Sequence, residues 1–291
     1  MDFQTLQAEV LRLGGSVQAL AAIGAALRLR QANEQSHPAV QASLLGAVDA
    51  LLPGGLDGLD QQQVSAALAL VTLGFEDAME LFQNPARPPA WVIRDPAMLQ
   101  AQGQASRQNF RKILELASDR PRLAVTLTGR FLDVGTGVGA IALEAVEQCP
   151  SLNVVGLDIW EPALAIARAN IAASPHASRI EVRSQDVTQL DESAAYSLAW
   201  LPAPFLSAPA AEMALDRLAV ALAAGGYLVV GTYALPTDQT AAALAALRIV
   251  RSGGHVWDSA ALEQQLRVRG FVDVETCPGP AVVTFVIGRR P

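Results

Sequence analysis

The hydrophobic rhythm of the chain changes near residue 130. Before that point apolar residues recur at helical spacing. Phe3, Leu6, Val10, Leu13, Val17, Leu20 and Leu27 form a heptad-like seam over residues 1–30, with Gly24 in the remaining seam position. Such a seam requires another helix against it. Gly14-Gly15 interrupts it and predicts a bend or break there. Further helices are expected at 38–52, 60–84 and 96–118, separated by Pro53-Gly54-Gly55 and by the proline-rich stretch Asn84 to Pro89. No strand-like alternation occurs before residue 90. From 130 onward short apolar runs alternate with helical stretches, predicting strands at 130–134, 153–158, 179–183, 196–201, 226–232, 271–276 and 281–288. Strands separated by helices build a doubly wound, mostly parallel α/β sheet. The chain thus reads as an all-α N-terminal domain, 1–95, joined to an α/β domain, 96–291.

Composition narrows this picture. A chain that is 51% hydrophobic and 17% charged is a folded globular protein. Its net charge of −7, with Lys112 the only lysine and no basic run, lacks the electrostatic footprint of a nucleic-acid binder. Two cysteines, Cys149 and Cys277, make no disulfide framework. The start lacks a signal peptide, and no uninterrupted apolar run reaches membrane length. The expectation is a cytoplasmic protein with no membrane and no nucleic-acid partner. The N-terminal seam packs either within its own helical domain or against a second subunit, as a homodimer.

Candidate chemistry concentrates after the first strand, in Phe131-Leu132-Asp133-Val134-Gly135-Thr136-Gly137-Val138-Gly139. An apolar run meets an acid, then alternating glycines, then the helix-forming residues Ala140 to Glu147. Glycines let backbone N–H groups approach a ligand closely. Asp158 ends the next apolar run, where a carboxylate can take both hydroxyls of a ribose. Asp186 ends the third. Three acids at three strand ends, around one glycine loop, describe a pocket for an adenosine-containing ligand.

The pattern acid-x-Gly-x-Gly-x-Gly resembles that of class I S-adenosylmethionine (SAM)-dependent methyltransferases, and the likeness covers about residues 95–290. It implies a Rossmann-like fold closed by an antiparallel C-terminal hairpin. It also implies a site in which Asp133, Gly135, Thr136, Gly137 and Gly139 wrap the methionine end of SAM. Asp158, with its neighbour Ile159, would take the ribose, and Asp186 and Val187 the adenine. Trp200 and Leu201, on the fourth strand, complete the expected cofactor contacts. Gly135 to Ala140 also fits the Gly-x-Gly-x-x-Ala of nicotinamide-binding domains. Asp133 ahead of the glycines, and the helix-strand-strand ending, favour SAM.

The acceptor side is less determined. Pro202-Ala203-Pro204-Phe205 after the fourth strand is a rigid, donor-poor turn. It lacks both the His-Asp pair of many O-methyltransferases and the Asn-Pro-Pro-Tyr of several N-methyltransferases. No general base is evident; His255 and Tyr233 are the weak candidates. Pro202, Phe205, Trp257 and Arg107 are candidate substrate contacts, Arg107 or a neighbouring glutamine by closing over the methionine carboxylate. Arg94 and Trp91 are weaker ones. No His/Cys/Asp/Glu cluster has metal-ligand spacing. The leading expectation is methyl transfer from SAM to a small molecule, with the O, N or S acceptor atom open. Two alternatives stand beside it: non-methylating SAM chemistry, such as cyclisation of the aminobutyrate arm, and a non-catalytic SAM-binding partner protein.

Overall fold

The alternating pattern after residue 130 folds into one seven-stranded sheet in the computed structural model, which describes residues 1–34 and 36–291. The strands are β1 (Arg130–Val134), β2 (Asn153–Asp158), β3 (Ile180–Ser184), β4 (Tyr196–Pro202), β5 (Leu222–Tyr233), β6 (Val272–Pro278) and β7 (Val283–Arg289). Their order is β3-β2-β1-β4-β5-β7-β6. The first five pair in parallel, and β7 runs antiparallel to both β5 and β6. Parallel neighbours need long crossovers. Helices α6 (Ala140–Gln148), α7 (Glu161–Ala172) and α8 (Ala208–Ala221) supply them.

Side chains alternate across the sheet into two cores. One face buries Leu132, Val134, Leu201 and Val230 under α8 and α10 (Ser259–Val268). The other buries Phe131, Leu198, Trp200 and Phe285 under α4 (Pro96–Ser118), α5 (Pro121–Thr126) and α6. Each expected strand is present within a few residues. The sequence pattern missed α9 (Gln239–Arg251), which buries Ile249 while Leu244, Leu247 and Val250 stay exposed.

The described residues form two compact units, 1–87 and 88–291. The boundary therefore falls before 95/96, because the segment 88–95 belongs with the sheet. Ala90 N donates to Arg251 O at 3.0 Å, and Trp160 Nε1 donates to Ile93 O at 2.8 Å.

The first unit is all-helical: α1 (Phe3–Ala32), α2 (Pro38–Leu51) and α3 (Gln61–Gln83). Helix α1 runs unbroken through Gly14-Gly15, correcting the expected bend. Each glycine costs about 1 kcal/mol of helix propensity, which the continuous hydrogen-bond ladder outweighs. Only the C-terminal part of its seam is buried: Leu27 packs with Val64 and Val71, and Gly24 faces Val71. Phe3, Leu6, Val10, Leu13, Val17 and Leu20 are exposed. By length and composition α1 is apolar enough to cross a bilayer.

Helix α4 packs on the cofactor-loop side of the sheet. Phe110 packs on Phe131 with ring centroids 5.5 Å apart. Beside it the fully buried Glu144 of α6 accepts Arg107 Nε at 2.6 Å and Arg111 Nε at 2.7 Å. Burial pushes the Glu144 carboxyl up, but the bonds from Arg111 and Arg107 outweigh it and hold it below the ordinary value of 4.5. A depressed carboxyl stabilises the fold above its unfolded pKa and loses that effect as pH falls through the folded one. Glu144→Ala should cost about 3 kcal/mol at neutral pH, at the lower end for a broken buried pair because Arg111 is half exposed. Urea unfolding at pH 7 and pH 3 checks this. The gap between variant and wild type should narrow at the lower pH, and an unchanged gap would contradict the ion pair as its source.

Candidate cofactor and acceptor site

The turn from β1 to α6 holds three left-handed residues, Gly135, Gly137 and Gly139, with φ of +66°, +57° and +78°. Non-glycine residues rarely adopt that region. A Cβ on Gly137 would meet nothing nearer than Gly135 O at 3.9 Å, so this peptide faces open space. The loop is tied from within: Thr136 N donates to Leu157 O and Gly139 N to Thr136 O, both at 2.9 Å.

Two carboxylates brace the loop. Asp158 accepts Gly137 N on Oδ2 and Trp160 N on Oδ1, each at 2.8 Å. Each carboxylate oxygen has two lone-pair sites, so Asp158 retains capacity for two hydroxyl donors. Burial raises its pKa against the pull of these amides. Asp133 lies between Gly156 and Trp200 in the sheet register and is fully buried. Its Oδ2 accepts Thr136 Oγ1 at 2.7 Å, while Oδ1 is buried with no partner. Burial pushes its pKa to about 7, opposed by the Thr136 bond, raised further by Asp158 and lowered by the Ala142 amide. Asp186 caps a short turn, its Oδ1 accepting Thr188 N and Thr188 Oγ1 at 2.8 Å. Ile159 is exposed beside Asp158.

An orphaned buried acid oxygen, an open glycine cradle and a carboxylate with spare acceptor sites fit an adenosyl ligand with a cationic head. Several expected contacts are not at this place. Trp200 is buried in the opposite core, its ring over Gly231 and edge-to-face with Phe285 at 5.3 Å. Leu201 is buried under α8, and Val187 packs in that same core. Strand alternation sends the two fourth-strand side chains into opposite cores. Arg107 donates from Nε to Glu144 and from Nη2 to Glu147 on α6. Arg94 lies over the Trp160 ring at 4.9 Å.

The acceptor-side candidates do converge at the ends of β4 and β5. Pro202 packs on the loop, 3.2 Å from where a Gly135 Cβ would stand. Phe205 meets Trp91 edge-on at 5.5 Å and Tyr233 at 6.2 Å. Gly254 packs on Pro204, whose carbonyl oxygen a Cβ at 254 would overlap. That contact brings in the exposed His255, whose ring stands edge-on to Trp257 at 4.8 Å. Trp257 itself is buried, with no partner on Nε1. Burial raises the Tyr233 pKa, against a smaller opposing pull from Arg248. Trp91, ranked low from sequence, is a wall of this aromatic cluster; only the tertiary fold brings it beside Phe205. Among the described residues no group of three or more His, Cys, Asp or Glu could hold a metal ion.

Comparison with known proteins accords with this geometry. Residues 131–226 match the methyltransferase-domain family. A 58-residue stretch is 47% identical to the tRNA1(Val) (adenine(37)-N6)-methyltransferase of Bacteroides thetaiotaomicron, covering 20% of this chain and 24% of that protein. The match therefore spans about a quarter of the relative's length. Two solved structures share the fold end to end. Human N-acetylserotonin methyltransferase in complex with SAM superposes with a TM-score of 0.71 at 14% identity, over 100% of this chain and 98% of that one. An O-methyltransferase family protein from Burkholderia thailandensis gives 0.72 at 16% identity, over 97% of each chain. Residues 131–226 thus carry a methyltransferase domain, within a fold shared with methyltransferases such as the human SAM complex.

The buried Asp133 makes stability depend on pH. A carboxyl whose folded pKa lies above its unfolded value of 3.8 binds more protons in the native state, so stability falls as pH rises from about 4 to about 7. Asp133→Asn should flatten that part of the stability curve in ligand-free protein, measured by thermal unfolding across pH 4 to 8. An equally steep fall in the variant would show that another group carries it.

Proposed function

We propose that the protein transfers the methyl group of SAM to a small-molecule acceptor. One observation carries the reading: an open glycine loop is braced by Asp158 and lies over a buried Asp133 whose Oδ1 lacks a partner. In this reading Asp158 binds the ribose hydroxyls, Asp186 the adenine amine and the glycine-loop amides the methionine end. Asp133 sits beneath the positive head of SAM, whose charge offsets the cost of ionising a buried carboxyl. Bound SAM supplies a methyl group on a sulfonium, already activated for attack.

The acceptor would sit against Trp91, Phe205 and Tyr233. Two prolines and three aromatic faces exclude water and orient an apolar or planar molecule. No buried histidine or carboxylate stands in that wall, so the chemistry suits an acceptor that is already nucleophilic. The net negative charge and lack of basic runs support a small molecule over nucleic acid, and we infer a cytoplasmic setting. Incubation with SAM alone tests the non-methylating alternative. Release of methylthioadenosine without an acceptor would replace methyl transfer with cyclisation.

Two substitutions test the cofactor assignment by calorimetric titration with SAM. Asp158→Ala removes a charged acceptor and should weaken binding about 30- to 150-fold. Gly137→Val should abolish binding. Its left-handed φ costs roughly 1–2 kcal/mol of stability, and the open space costs nothing more. Unchanged affinity in either variant refutes the assignment.

We further infer that α1 pairs with its counterpart in a second copy of this chain, because Val10, Leu13 and Val17 continue a heptad seam into solvent. Sedimentation equilibrium should give a dimer, and Val10→Glu with Val17→Glu a folded monomer. A monomeric wild type would exclude the pairing.

A further inference from the structure

The cofactor loop is held from outside as well as from within. The Val138 carbonyl accepts Asn170 Nδ2 of α7 at 3.0 Å. The same Nδ2 donates to Gln100 Oε1 of α4 at 3.2 Å, and Gln100 Nε2 donates back to Asn170 Oδ1 at 2.9 Å. Gln100 and Asn170 thus form a reciprocal amide pair between two helices, and Asn170 also reaches the glycine loop. A primary amide has two donors and two acceptor sites, so this geometry uses both Asn170 donors at once.

The pair acts on one peptide unit. Val138 O faces outward to Asn170, while the N–H of the same unit, on Gly139, points inward to Thr136 O at 2.9 Å. A peptide plane fixed at both ends cannot rotate, although Gly139 on its C-terminal side would otherwise ease that rotation. The apolar packing between α4 and α7 does not need the amides. Leu99, Val138 and Ala163 form a buried cluster of their own. Helix α4 also lies directly on the loop, for a Cβ on Gly103 would overlap the Val138 side chain. Both amide side chains are half-buried at the edge of a solvent-open cavity lined by Gln104, Arg107, Leu143 and Ala173.

We propose that Gln100 and Asn170 are positioning residues for SAM binding. They hold the glycine loop in its binding conformation before the cofactor arrives, lowering the ordering cost of association. The inference rests on the reading that this loop holds SAM. Asn170→Leu keeps the side-chain size, and the open cavity beside it accepts the change. SAM affinity, by calorimetry well below the melting temperature, should fall about 3- to 10-fold. Gln100→Leu leaves the bond to Val138 in place and should lose less. Gln100→Glu keeps the acceptor for Nδ2 but turns a carboxylate oxygen toward Asn170 Oδ1, so it should not restore what Gln100→Leu loses. Since the two residues act as a unit, the double leucine variant should be no weaker than Asn170→Leu alone.

A merely structural role would lower the melting temperature of the ligand-free protein and leave affinity untouched. If Asn170→Leu unfolds too early to titrate, the affinity of Gln100→Leu decides. Unchanged affinity in Asn170→Leu, or in Gln100→Leu where that variant must stand in, overturns the positioning role while a weakened Asp158→Ala preserves the cofactor reading. Unchanged affinity in Asp158→Ala as well overturns the reading beneath it.

Discussion

The hydrogen bond from the Gly137 amide to Asp158 ties the ends of β1 and β2 together and sets the shape of the site around it. The three left-handed glycines of this turn have no side chains with which to hold it. Within the turn only the Thr136 hydroxyl reaches out, to Asp133. The other ties, from the Asp158 carboxylate, the Leu157 carbonyl and the Asn170 amide, come from a strand end or a helix packed on the sheet. The parallel order that puts β2 and β4 on either side of β1 is therefore a condition for the site as well as for the core.

The cost is concentrated on Asp133. A carboxyl buried between strands, with one oxygen bonded to Thr136 and the other unpartnered, is held near pKa 7 by desolvation. Unpartnered buried acids are rare because they destabilise a fold. Here the penalty sits on the acid that leads into the glycine loop, where in the proposed reading a positively charged ligand would relieve it. Strain of this kind at a binding site is recovered as affinity.

On the acceptor side the architecture supplies shape rather than ionisable groups. Pro202 packs on the loop, Pro204 receives the Gly254 backbone, and Phe205 stands between Trp91 and Tyr233. Residues from four separate stretches of chain meet there. Such surfaces vary freely on a fixed sheet, which is why the fold carries the cofactor chemistry and not the acceptor's identity.

By itself the sequence determined what depends on local pattern. The strand positions, the glycine loop and the acids at Asp133, Asp158 and Asp186 all follow from period, turn chemistry and spacing within a few residues. The tertiary structure decided whatever depends on partners distant in the chain. Arg107 looked free on a polar helix face but is neutralised by Glu144 and Glu147 of α6. Trp200 looked like a pocket wall but points into the core, because its neighbours across the sheet set which face of β4 it shares. Gly14-Gly15 looked like a break, yet the cooperative ladder of a thirty-residue helix carries through it. Asn170 gave no signal at all: a single asparagine on a helix acquires meaning only when packing brings Gln100 and the Val138 carbonyl within hydrogen-bond reach.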